Sequence, residues 1–222
     1  MGQFASSSNY TFLVKVTQQS HTLQAVYKPD KGQVPLWDFP LNTLTQRELA
    51  AYLLSELLGW DLVPPTVYRS DAPLGNGTLQ LFVAHNPDRH YFAFNANLKS
   101  RLRKVALFDV LANNADRKGG HVLVDNNNHI WLIDHGLCFH QDEKLRTVIW
   151  DFAGQPIPEV YLKNIRTLIL RLKSEQHLRP SFSSLLSREE MKAFSQRIKK
   201  LLKSRTFPSP SEVRRSHPWP LI

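Results

Sequence analysis

From Tyr10 to Val16 and from Thr22 to Lys28 the chain reads YTFLVKV and TLQAVYK. Both runs are rich in β-branched and aromatic residues, and the polar TQQSH parts them, so they predict a β-hairpin. A Pro/Gly-rich loop, PDKGQVPLWDFP, comes next, and then the period changes. In NTLTQRELAAYLLSELLGW the residues Leu49, Leu53, Leu57 and Trp60 fall along one helical stripe, closed by Gly59. LVPP begins an extended connection, LGNG reads as a turn and TLQLFV as a strand. A small β-rich part carrying one helix therefore ends near Val83.

Residues 85–97 are polar and aromatic without a clear period. A helix is expected from about Leu98 to Asn113, with Leu102, Val105, Ala106, Asp109 and Ala112 near one face. HVLV and HIWLI flank an Asn-rich turn as a second hairpin. AGQPIPE then breaks the pattern before two helices, Val160–Lys173 and Arg188–Ser204, the second opened by a Ser187/Glu190 capping box. The Pro-rich tail TFPSPSEVRRSHPWPLI reads as extended or partly disordered. A boundary near residue 84 divides the β-rich part from a larger helical one.

At 222 residues, 42% hydrophobic and 21% charged, the chain can bury one core, split into two lobes at most. The longest apolar runs, such as Leu49 to Leu58, are interrupted by Ser55 and Glu56, and none approaches the roughly 20 apolar residues of a membrane span. Cys138 is the only cysteine, which excludes an intrachain disulfide and points to a reducing, cytoplasmic compartment. No basic-then-apolar signal segment is visible. MGQFAS fits an acylation pattern at Gly2 and Ser6, but so short a match arises readily by chance. The net charge of +9 is unevenly placed: from Tyr161 to Ile222 there are 14 Lys+Arg against 4 Asp+Glu. That basic third fits a solvated helical face or a docking surface for an anionic partner, such as phospholipid, polyphosphate, nucleic acid or an acidic peptide. It carries no specific nucleic-acid signature.

The chemistry concentrates in NNADRKGGHVLVDNNNHIWLIDHGLCFH, Asn113 to His140. Asp116 sits in a loop with Gly119 and Gly120, which free the backbone to approach a ligand. The hairpin returns Asp134 to the same end as His121, beside that loop. An aspartate on a mainly buried strand is costly without a cation or hydrogen bonds. The alternative is that Asp116 and Asp134 only make backbone turns. Phosphoryl transfer needs a lysine on the phosphates, a carboxylate orienting it, a metal-binding carboxylate and an aspartate at the attacking hydroxyl. Lys28 ends a strand in AVYKP, and Glu48 lies in the first or second turn of the next helix. Glu48 also fits a capping box that would close it back on Thr45.

VYKP, RELAAYLLSELLGW, NNADRKGGH and IDHGLCF, in that order over residues 6–160, resemble the phosphatidylinositol 3-/4-kinase-like branch of the protein-kinase-like fold. The pattern is particularly similar to a bacterial family within it, related to type II phosphatidylinositol 4-kinases and HipA-type kinases. The resemblance implies an α+β, two-lobed protein-kinase-like fold, with a small β-rich N-lobe (1–84) and a larger helical C-lobe (85–222). It implies ATP and Mg2+ or Mn2+ as cofactors, and an unidentified hydroxyl acceptor: lipid, inositol-like or other small metabolite, or protein. Lys28 would bind phosphate with Glu48 as its helix partner, Asp116 would be the catalytic-loop aspartate, and Asp134 the metal ligand. Gln80, Phe82 and Val83 would form the hinge reading adenine. The sequence departs from the family in three ways. No Gly-rich loop precedes Lys28, so Ser7, Ser8 and Asn9 would take phosphate through backbone and hydroxyl groups. His121 stands where asparagine is common, and imidazole favours softer metals than magnesium, which points to manganese or a one-metal site. A large substrate-binding region is lacking, which leaves the acceptor open.

Other readings belong to different classes. His85, His90, His121, His129, His135 and His140 crowd the middle of the chain and suggest a His-based metal hydrolase. Their spacing matches neither HExxH nor paired CxxC, and that reading leaves Lys28 and Glu48 unexplained. A kinase-like nucleotide-binding module without phosphotransfer, or a nucleotidyltransferase, is the nearer alternative. Lys28, Asp116 and Asp134 standing together weigh against decay to a mere binder.

Overall fold

The computed structural model describes residues 2–3, 9–174, 182–210 and 215–222. Strand β2 (Phe12–Gln18) pairs antiparallel with β3 (His21–Pro29), in register from Phe12 opposite Tyr27 to Gln18 opposite His21. The short β1 (Gly2–Gln3) adds to the outer edge of β2. Strands β4 (Thr66–Ala72) and β5 (Gly75–Leu81) complete a five-stranded sheet of order β1-β2-β3-β5-β4. The pattern LGNG is not a turn throughout: Gly75 to Gly77 already belong to β5, and the chain reverses at Pro73-Leu74. Gly77 is required there. A Cβ would lie 2.4 Å from the Lys28 carbonyl oxygen, so only glycine lets β5 pass this close to the end of β3.

Helix α1 (Leu44–Leu58) is buried on nearly every face and ties the sheet to the rest of the molecule. Leu49, Leu57 and Trp60 are buried as the stripe required, but Leu53 is only partly so; Ala50, Ala51 and Leu54 are fully enclosed instead. Arg47 is buried too, donating from Nη1 to the Cys138 carbonyl at 2.6 Å and pairing through Nη2 with Glu190. The capping box between Thr45 and Glu48 does not form. Thr43 takes the N-cap position without a side-chain cap, Thr45 donates to Asp30, and Glu48 turns to Lys28. Gly59 ends the helix at φ 64°, the left-handed conformation that suits a helix C-terminus.

The helix expected from Leu98 to Asn113 is in fact two, α2 (Ala96–Ser100) and α3 (Arg103–Ala112). Backbone bonds from Arg101 N to Leu98 O and from Leu102 N to Lys99 O tighten the chain between them, and the turn sinks Leu102 into the core. The second hairpin is short, β6 (Val122–Val124) with β7 (Ile130–Leu132). Helices α4 (Glu159–Ser174) and α5 (Arg188–Ser204) close the core, and the Ser187/Glu190 box caps α5 reciprocally. One apolar cluster runs from Ala50 in α1 through α3, the hairpin and α4 to Phe207. In the tail, residues 215–222 lie extended along the helical part: the Ser216 carbonyl accepts from Thr147 N and Trp150 Nε1, and the Leu221 carbonyl from Gly119 N at 2.7 Å. The result is an α+β, two-lobed kinase-like fold. Among the described residues no helix is long and apolar enough to cross a membrane.

Candidate active site

Lys28 leaves the sheet where β3 ends, and its ammonium lies between two carboxylates. It pairs with Glu48 Oε1 of α1 and sits 3.0 Å from Asp134 Oδ1, beyond β7. Burial alone would lower the Lys28 pKa; Asp134 and Glu48 outweigh it and hold the value above the ordinary range. In return the Lys28 ammonium, against the opposing effect of burial, keeps the Asp134 carboxyl well below its usual range. Asp134 itself adopts φ 62°, a left-handed backbone that aspartate tolerates better than most side chains.

The catalytic-loop candidate is built from below by side chains that the sequence reading did not single out. Asn113 caps α3 at φ 50° and donates to the carbonyls of His140 and Asp142. Asn114 accepts from Asp116 N at 2.9 Å and donates to Asp109 Oδ1 at 3.0 Å. Arg117 is completely buried beneath them. Its Nε donates to both Asp109 oxygens at 3.0 and 3.2 Å, Nη1 to the Ile133 carbonyl at 2.9 Å, and Nη2 to His135 Nε2 at 2.9 Å. A buried arginine satisfied this fully fixes the loop against β7. The signals were present: an arginine beside Asp116, and Asp109 on an otherwise apolar helix face.

Above this frame Asp116 lies three-quarters covered, with Lys118 Nζ 3.3 Å from its Oδ2. Burial pushes the Asp116 carboxyl up to about 6, with Lys118 opposing the shift. His121 Nδ1 lies 3.1 Å from the Asp116 carbonyl oxygen and accepts from the Lys118 N–H at 3.4 Å, which ties the ring to the loop backbone. Its Nε2 stands 3.4 Å from Asp134 Oδ2. Burial lowers the His121 pKa to about 4, so the ring is neutral near pH 7. Of the two loop glycines Gly119 serves packing instead of ligand approach, whereas a Cβ on Gly120 would meet only Ile222, at 3.8 Å. A Cβ on Gly119 would lie 2.8 Å from the Phe92 ring and 3.4 Å from the Leu221 carbonyl, so the missing side chain admits Phe92 and the tail rather than a ligand.

Two cavities of about 250 Å3 each share Thr11, Lys28, His121 and Asp134 and form one cleft. The first holds Glu48, Asp116 and Lys118, walled by Tyr10, Val34 and Leu36. The second is apolar, lined by Val26, Leu81, Phe82, Val83, Leu123 and Ile133. Gln80 borders it, but its amide donates to Thr66 Oγ1 at 3.0 Å, and the Phe82 N–H is taken by the Gln24 carbonyl. Val83 N–H has no hydrogen-bond partner among the described residues. Asn9 borders the first cavity with its Oδ1 accepting from Val34 N at 2.7 Å; Ser7 and Ser8 lie outside the described residues. Three other histidines make their own backbone bonds: His85, which lines the second cavity, donates from Nδ1 to the Val83 carbonyl, His129 Nε2 to that of Asp61, and His140 Nε2 to that of Asp38; His90 Nδ1 is buried without a partner among the described residues. Among the described residues no three His, Cys, Asp or Glu side chains gather as a metal cluster.

The model of the phosphatidylinositol 3- and 4-kinase family matches residues 13–207. The chain is 39% identical to protein Rv2133c of Mycobacterium tuberculosis, over 99% of this chain and 90% of that one. Half of the chain is 32% identical to phosphatidylinositol 4-kinase gamma 4 of Oryza sativa subsp. japonica, covering 23% of it. A similar share is 28% identical to phosphatidylinositol 4-kinase gamma 2 of Arabidopsis thaliana, covering 26% of it. The chain thus spans about a quarter of these plant relatives. The crystal structure of the Helicobacter pylori proinflammatory kinase CtkA shares the fold, with a TM-score of 0.53 at 13% identity over 93% of this chain and 91% of that one. The family match runs from β2 past α5 and takes in every charged group of the cleft: the chain belongs to the phosphatidylinositol 3- and 4-kinase family.

Proposed function

We propose that the protein is an ATP-dependent phosphotransferase that moves the γ-phosphoryl group of ATP to a hydroxyl acceptor. The observation that carries this reading is the Lys28 ammonium held between Glu48 and Asp134, in a cleft that also contains Asp116. Lys28 neutralises phosphate charge, and Glu48 keeps the ammonium aimed. The apolar cavity takes adenine, with Val83 N–H as the hinge donor. The lobes divide near residue 84, so the nucleotide lies between them.

Asp134 and His121 would hold Mg2+ or Mn2+. The donor set fits: an imidazole nitrogen and a carboxylate oxygen stand 3.4 Å apart in the same cavity, and both are ligand types such an ion accepts. Such ions typically bind through one or two protein ligands together with substrate phosphates. When bound, the ion would offset charge on the phosphoryl oxygens. Asp116 orients the acceptor hydroxyl and takes its proton as the new O–P bond forms and the β–γ bridging bond breaks. Its pKa near 6 suits a general base at neutral pH.

The acceptor is a hydroxyl compound brought to the Asp116 side of the cleft. The exposed stripe of Arg188, Lys192, Lys199 and Lys203 along α5 supports an anionic docking partner for the helical lobe. Thermal stability with ATP and Mg2+ or Mn2+ is the direct test, since a ligand of the native state raises the melting temperature. Asp134→Asn should remove the metal-dependent part of that rise, and His121→Asn should shift preference toward Mg2+. No rise with any nucleotide and metal pair would end the enzyme reading. A rise without ADP formation would favour a binding module, and release of pyrophosphate a nucleotidyltransferase.

A further inference from the structure

His135 follows Asp134 directly, is fully buried, and meets Phe108 edge to face with ring centroids 5.7 Å apart. A phenyl ring would serve that contact equally well, so the two ring nitrogens need their own explanation. Arg117 supplies half of it. A guanidinium can only donate, so Nη2 at 2.9 Å makes His135 Nε2 an acceptor, and the ring proton is on Nδ1. That Nδ1–H faces Glu48 Oε2 at 3.8 Å. Both atoms are buried and neither has a hydrogen-bond partner. A buried donor and a buried carboxylate oxygen left unpaired are costly, and here the two stand 3.8 Å apart, just beyond bonding distance.

We propose that His135 is a positioning residue whose Nδ1–H closes onto Glu48 Oε2 when nucleotide occupies the cleft. The proposal rests on the phosphotransferase reading. Phosphates entering the cleft draw Lys28 toward them, and Glu48 then needs a second donor to stay in place. His135 supplies it from an anchor of its own, because Nε2 is fixed by Arg117 and Arg117 by Asp109. The loop that carries Asp116 and the α1 carboxylate that aims Lys28 are thereby tied through one imidazole. A movement of less than about 1 Å brings the contact into hydrogen-bond range. Gly136 leaves room for it, since even an added Cβ would stand 3.9 Å from Glu48 Oε1.

Two measurements test this. In 15N-histidine-labelled protein, His135 should carry its proton on Nδ1 with Nε2 bare, and ADP with Mg2+ should move the Nδ1–H resonance downfield. Protonation at Nε2, or a resonance that nucleotide leaves unmoved, overturns the proposal. The second measurement compares two variants for ADP affinity and melting temperature. His135→Asn places an amide N–H near the position of Nδ1, and His135→Gln an amide oxygen near that of Nε2. The Asn variant should bind ADP nearly as wild type but melt lower, because Arg117 loses its acceptor. The Gln variant should keep more stability yet bind ADP about tenfold more weakly, the scale of one hydrogen bond to a charged group. Equal affinities in the two variants overturn the proposal alone. Wild-type protein that binds no ADP takes down the phosphotransferase reading and the proposal with it.

Discussion

The two ends of the cleft are built on opposite principles. At the end assigned to phosphate Lys28, Glu48, Asp116, Lys118, His121 and Asp134 share one cavity, and most of these charges are balanced by another within 3.4 Å. At the end assigned to adenine the walls are Val26, Leu81, Phe82, Val83, Leu123 and Ile133, with a backbone N–H as the free donor. The charged end is over-determined: removing one group leaves its partner without the opposite charge that fixes its ionisation and position, so loss should be abrupt and chemical. The apolar end is graded. Trimming it removes contact area in proportion and should weaken binding without touching the chemistry.

That contrast breaks first at Asp116. Asp116→Asn keeps the shape and one acceptor oxygen but cannot take a proton. Turnover should fall about a hundredfold or more, with ADP affinity nearly unchanged. ATP turnover as fast as wild type in a clean preparation would make Asp116 a structural loop residue. The matching change at the other end is Leu123→Ala. Its side chain lines the apolar cavity, so nucleotide affinity should drop roughly tenfold while turnover at saturation holds. A loss confined to turnover would mean that the two ends are not separable.

The acid limb sharpens the same division. Only ionised Asp116 accepts a proton, and burial raises its pKa to about 6. Turnover should therefore decline as pH falls through about 6, while nucleotide affinity at the apolar end changes little over that step. Lys118 opposes the shift from 3.3 Å, so Lys118→Met should move the limb to higher pH. A limb that stays in place in that variant would assign the titration to another group.

The same two ends differ in how well the sequence announces them. Lys28, Glu48, Asp116, His121 and Asp134 stood out because phosphate chemistry needs those side chains, and the structure brings all five to one cavity. The proposed hinge donor is a backbone N–H, which any side chain can carry, so naming Gln80 and Phe82 there could only follow from position. Strand β4 escaped for a related reason: Thr66 is its one buried residue and Val67 to Asp71 are exposed, so it lacks the alternation that marks a strand. The break between α2 and α3 depends on two backbone bonds and on the pull of Leu102 into the core, neither written in a local period. Arg117 and His135 were hidden differently. Each lies beside an aspartate that drew the functional reading; the Arg117 partner Asp109 is only eight residues away but on the preceding helix, and the His135 partner Glu48 comes from the distant α1.

The smallest expected effect decides what Gln80 is. The resemblance made it a nucleotide ligand, yet its amide donates to Thr66 Oγ1, and that hydroxyl donates onward to the Pro64 carbonyl. The pair holds β5 to β4 at a buried point where Thr66 stands opposite Gln80 in the ladder. Gln80→Leu preserves the apolar bulk and removes the amide. Thr66 keeps its donor bond to Pro64, so only one hydrogen bond is lost and no buried donor is stranded on Thr66. The cost should be about 1 kcal/mol of stability, read from chemical denaturation. ADP affinity should change by less than about twofold, because the cleft keeps its apolar wall and Val83 N–H is untouched. A drop in affinity of about tenfold at unchanged stability would mean that the amide turns to the base when nucleotide binds. The apolar end would then read its ligand through a side chain after all, and the contrast between the two ends would narrow.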